Sequence, residues 1–111
     1  MAKVIGIHEV ELRPGAPASD LERFITEEFI PACQRVSGMR VSLLKGDRGE
    51  RAGKYVMLME IESVETRDRY FPSSGEPSEA FQRAMPTGDA LMEKFGALGS
   101  STFTDYVVVG T

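Results

Sequence analysis

Tryptophan and asparagine are absent from this chain, and histidine and cysteine occur once each. Each shortage excludes something. A lone cysteine, Cys33, cannot close an internal disulfide, so a reducing compartment is the default. A lone histidine, His8, leaves a divalent metal without a second imidazole, and no ordered ligand spacing replaces it, so no metal or cofactor is expected. No apolar run approaches the ~20 residues of a membrane span. Residues 1–12 (MAKVIGIHEVEL) carry charge where a secretory signal has a long apolar segment, and read as a strand. Positive charge is also scarce. Lys and Arg number 13 against 17 Asp and Glu, a net charge of −4 with the signs interspersed, so neither nucleic acid nor an anionic membrane is an expected partner. What remains is a cytoplasmic single domain over residues 1–111, long enough for one core without staples.

The strongest pattern in the chain is residues 54–62 (KYVMLMEIE), strand formers with apolar side chains of both parities at the centre. Such a strand belongs inside a sheet, paired on both sides. The turn-rich GDRGERAG before it joins it to residues 39–45 as an antiparallel hairpin. That loop lacks the GK[ST] of a phosphate loop and opens no helix. Residues 3–12 form the first strand, ended by Arg13-Pro14-Gly15. Ser19 and Glu22 make a capping box for the first helix, and Leu21, Phe24, Ile25, Phe29, Cys33 and Val36 form its apolar stripe. Pro31 should kink that helix and Gly38 stop it. A short helix after Ser63, capped by that serine, running through Tyr70 and ended by Pro72, then a loop at 72–77, helical pieces at 78–85 and 88–95, a loop at 96–101 and a closing strand at 102–109 complete the chain.

The order β-α-β-β-α-β predicts an α+β, ferredoxin-like fold, with a four-stranded antiparallel sheet and all helices on one face. The strands are apolar on both faces near the centre. Helices cover only one face, and the other is an association surface, so a homodimer joined sheet to sheet is expected. Which parity faces outward, that of Val56 or that of Met57, stays open.

With this topology, the HEVELRPG opening, the SVETRDRYFP segment and the short closing strand, the chain resembles the dimeric α/β barrel superfamily. That group includes stress-responsive barrel proteins, EthD-like proteins and antibiotic-biosynthesis-type monooxygenases. The resemblance implies a homodimer whose sheets form a barrel, with a small-molecule pocket between helices and sheet in each subunit. It departs from two known activities. The cofactor-free quinone-forming monooxygenases use asparagine and tryptophan in the pocket, and this chain has neither; haem-handling relatives carry their histidine on a helix.

His8 is the candidate catalytic residue, because imidazole titrates near neutrality and Gly6, on the same strand face, leaves room beside it. A satisfied structural histidine is the competing interpretation. Gly6, Phe24, Tyr70, Phe81, Met85, Asp105 and Tyr106 are the candidate ligand-binding residues. Asp105, an acid inside an apolar strand, needs a partner if buried, and His8, Arg23 or the other subunit could supply one. Cys33 lies on the apolar stripe and reads as core. The pairs Glu9/Glu11 and Glu60/Glu62 read as solvated strand ends or inter-subunit ion pairs. The function expected is the binding of an apolar or aromatic small molecule, with oxygenase- or isomerase-like chemistry at His8. The alternative is a non-catalytic ligand-binding or stress-response module.

Overall fold

A computed structural model describes residues 2–73 and 76–111. Alternation of apolar side chains produces four strands: β1 (Val4–Leu12), β2 (Met39–Lys45), β3 (Tyr55–Ile61) and β4 (Gly99–Val107). They pair in the order β2-β3-β1-β4, every neighbour antiparallel. Residues 54–62 thus yield an inner strand paired on both sides. Each half of the chain is a split βαβ unit whose strands admit one strand of the other half between them, the ferredoxin-like arrangement.

The helices are α1 (Ala18–Phe24), a π-helical turn (Ile25–Phe29), α2 (Ile30–Cys33), α3 (Val64–Tyr70), α4 (Glu79–Ala84) and α5 (Gly88–Leu98). They cover one face of the sheet. Val4, Val10, Met39, Val41, Tyr55, Met57 and Ile61 point into that layer and meet Leu21, Phe24, Ile25, Phe29, Cys33, Val36, Leu91 and Phe95. Leu21 and Ile25 are wholly buried. The opposite face carries Ile5, Ile7, Val56 and Leu58, all partly exposed, with Leu44 45% and Tyr106 56% exposed. The parity question is therefore answered: Val56 faces outward and Met57 lies beneath the helices.

Three expectations need correction, and that for Pro31 takes a specific form. Ser19 does not cap the first helix; Pro17 takes that position, without a side-chain cap, and the Glu22 carboxylate accepts from Tyr55 Oη instead. Pro31 acts through the π-helical turn ahead of it. Proline has no N–H to return to residue 27 and its ring crowds that carbonyl, and the turn widens so that the Ile30 N–H reaches the Ile25 carbonyl. The extra residue explains why Phe24 and Phe29, five apart, are both buried. The helix ends at Cys33 rather than at Gly38, which instead turns the chain into β2. Finally, α5 runs to Leu98 and β4 starts at Gly99, where a loop was expected. A Cβ at Gly99 would stand 2.4 Å from the Glu11 carbonyl oxygen, so only glycine lets β4 pair that early with β1. Of the loop expected at 72–77, Ser74 and Gly75 lie outside the described residues. Among the described residues no helix is long and apolar enough to cross a membrane.

Candidate functional site

The helices do not reach across the whole sheet. Phe103, on the helix-side face of β4, is 62% exposed. Register puts it opposite His8, and Asp105 opposite Gly6. Directly opposed residues in an antiparallel pair project to the same side, so these four share one face. The His8 and Phe103 rings stack, with centroids 5.4 Å apart and planes 20° from parallel.

Gly6 is the floor of this arrangement. A Cβ there would lie 3.1 Å from Asp105 Oδ1, 3.4 Å from His8 Nε2 and 3.6 Å from Met59 Cβ. A group in the place of the missing side chain thus touches both a carboxylate oxygen and an imidazole nitrogen. The His8 imidazole makes no hydrogen bond with any described residue. Burial pushes its pKa below the ordinary value, because a charged imidazolium loses hydration there, and the Asp105 carboxylate offsets this only in part.

Asp105 is satisfied from α3. Arg67 donates through Nη1 to Asp105 Oδ2 at 2.8 Å, and through Nε to Asp68 Oδ1 at 2.8 Å. Both acids hold the guanidinium in its charged form. Of the partners anticipated for Asp105, Arg23 is occupied elsewhere, with Asp20 at 2.7 Å. Arg67 was legible in principle. Val64, Arg67 and Phe71 fall at i, i+3 and i+7, all partly buried, and a cation on such a stripe requires an anion facing it. Phe103 shares its parity with Asp105, but its register against His8 is not written in the sequence.

The remaining candidates are dispersed. Phe81 packs against Tyr70 and Phe71, with centroids 5.9 and 4.7 Å away, and the Tyr70 hydroxyl donates to the Ser37 carbonyl at 3.0 Å. Met85 is buried in the core. Phe24 borders a surface depression of about 350 Å³ between α1 and α5, lined also by Arg23, Glu28 and Lys94. A second, of about 320 Å³, lies at the β2–β3 end of the sheet near Arg40 and Glu62. Neither is lined by His8. Tyr106 projects from the opposite face, across from Ile5, and does not share a site with His8. The acidic pairs do not converge: Glu9 faces Arg51, Glu60 faces Lys3, and Glu62 accepts from Thr66. Among the described residues no three His, Cys, Asp or Glu side chains are grouped to hold a metal ion.

No family model matches the chain, and no curated protein does. Solved structures do. SnoaB, a cofactor-independent oxygenase from Streptomyces nogalater, superposes with a TM-score of 0.68 at 16% identity, over 100% of this chain and 97% of that one. An uncharacterized NIPSNAP-like domain protein from Burkholderia xenovorans gives 0.65 at 21% identity, over 98% and 85%. A dimeric protein of unknown function and ferredoxin-like fold from Bacteroides fragilis gives 0.55 at 16%, over 96% of each chain. At these identities it is the architecture that is shared. The chain has the ferredoxin-like α+β fold of this neighbourhood, in which monooxygenase-type and NIPSNAP-like proteins stand side by side.

Proposed function

We propose that the chain binds a planar apolar or aromatic small molecule over Gly6, between His8 and Asp105, and acts on it as an oxygenase- or isomerase-like enzyme with His8 as base. The supporting observation is the position over Gly6, which touches His8 Nε2 and Asp105 Oδ1 together. Phe103 offers the ring an exposed stacking surface beside it. Burial keeps His8 neutral near neutral pH, and in the tautomer protonated at Nδ1 its Nε2 presents a lone pair. That nitrogen takes a proton from an acidic O–H or activated C–H, and the substrate keeps the electron pair as a phenolate or enolate. The imidazolium so formed is stabilised by Asp105. Return of the proton at another carbon completes an isomerisation; attack of the anion's carbon on dioxygen, the co-reactant, gives a peroxide that takes back the proton from His8, and cleavage of its O–O bond with loss of that carbon's remaining hydrogen releases water and leaves a carbonyl. The fold match to a cofactor-independent oxygenase supports the second course.

A non-catalytic ligand-binding module remains the second reading, favoured by one observation. The exposure of Phe103 leaves the site of a single subunit open to water, and abstracting a weakly acidic proton benefits from a drier site.

The test uses 1-naphthol against naphthalene, which share a ring system and differ in the acidic hydroxyl. Wild type is expected to prefer 1-naphthol. His8→Ala should weaken that binding by ~5- to 150-fold, the equivalent of losing a polar contact of about 1–3 kcal/mol, and leave naphthalene unaffected. Equal affinity for the two compounds, or no loss in the variant, would contradict the proposal. Oxygen uptake or proton exchange on the bound compound then separates enzyme from module.

We further propose that two copies pair through the outward sheet face. Ile5, Ile7, Val56 and Leu58 form its apolar centre, and one fold neighbour is itself dimeric.

A further inference from the structure

We propose that Arg67 is a positioning residue for His8: by holding Oδ2 of Asp105 it fixes Oδ1 over Gly6 and keeps the carboxylate from turning onto the imidazole. Three observations carry this. Arg67 Nη1 lies 2.8 Å from Asp105 Oδ2, while Oδ1 is the oxygen that overlooks Gly6. The guanidinium also donates through Nε to Asp68 at 2.8 Å, so two of its nitrogens are engaged at once. And the His8 imidazole, although near a carboxylate on its own face, makes no hydrogen bond with any described residue. A free aspartate beside a histidine ordinarily turns to meet it, because a charge-assisted bond is worth more than an unpaired approach. Here the second oxygen is already engaged from α3.

The one charge that acts on His8 is Asp105 of β4, which Arg67 of α3 holds in turn; Met57 and Met59 of β3 and Phe103 of β4 carry no charge. Asp105 is the charge that acts on His8 and Arg67 sets where that charge sits. Loss of Arg67 should release the carboxylate to the imidazole and make His8 harder to deprotonate.

The chain has one histidine, so a proton and nitrogen NMR titration reads His8 without assignment ambiguity. Arg67→Gln is expected to raise the His8 midpoint by about one pH unit, the lower end of the effect of an opposite charge at close range. Asp105→Asn should lower it. In the Asp105→Asn background, Arg67→Gln should then move it by less than half as much. A shift of equal size in both backgrounds would mean that Arg67 acts on His8 without Asp105, by its own charge or by closing the site to water, and overturns the proposal, as does no shift in either. Should Arg67→Gln not fold, Arg67→Lys retains the charge without the planar fork. It is expected to raise the midpoint by a smaller amount, and an unmoved midpoint there counts equally against the proposal. The inference rests on the function proposed for His8, but the titration needs no ligand. Failure to bind 1-naphthol overturns that function alone, and an unmoved titration overturns the role of Arg67 alone.

Discussion

The His8 imidazole is buried enough to be held neutral and has no hydrogen-bonded partner among the described residues. Its depressed pKa couples folding to pH. The unfolded chain binds a proton at His8 near the ordinary value of 6.5, and the folded chain only at lower pH. Between the two the unfolded state holds more protons, so His8 contributes stability that is complete above the unfolded value and lost as pH falls through the folded one. His8→Phe should keep the fold, because a flat ring replaces a flat ring against Phe103, and should remove that component. Melting curves from about pH 7.5 to about pH 5 should show the wild type losing ground to the variant as pH falls. Parallel curves would mean that His8 titrates alike in both states. Cys33 shows the same burial acting on a different group: its thiol is pushed up to about 12, in keeping with a core residue and not a nucleophile.

At the scale of elements, boundaries follow from side chains that satisfy the backbone. Ser63 Oγ accepts from the Thr66 N–H at 3.1 Å and also donates to Thr66 Oγ1, both groups being buried. Ser63→Ala should therefore destabilise the protein by ~1 kcal/mol, measured by urea denaturation. A change near zero would show that α3 is held by packing alone. This cap was plain in the sequence, as were the inner position of β3 and the hairpin from β2. The π-helical turn was not. Proline announces a disturbance, but whether the helix bends or widens depends on which side chains the core needs, here both Phe24 and Phe29. The early start of β4 was equally hidden. Gly99 reads as a loop residue, and only its approach to the Glu11 carbonyl reveals that pairing demands glycine.

For the whole molecule, alternation alone predicts two apolar sheet faces, and register decides which one the helices take. Val56 and Met57 are adjacent in sequence and opposite in fate. Val56→Lys should leave the subunit folded and shift sedimentation at micromolar concentration from about twice the chain mass toward the monomer. Met57→Lys should lower the melting temperature steeply, because it places an unpaired charge in the core. A wild type that sediments as a monomer would remove the basis for pairing. The candidate site was half legible for a related reason. His8, Gly6 and Asp105 stood out by residue type, and the helix stripe marks Arg67 as a cation in need of an anion, but which anion it meets and what faces His8 depend on the docking of α3 and the β1–β4 register, which no local pattern encodes.

The most direct measurement on the central claim is the His8 ring signal during addition of 1-naphthol to the wild-type protein. A ligand seated over Gly6 touches Nε2, so the imidazole nitrogen and carbon-bound proton resonances should shift and saturate with the Kd given by the ligand's own fluorescence. Binding detected by fluorescence while both His8 resonances stay unmoved would contradict it.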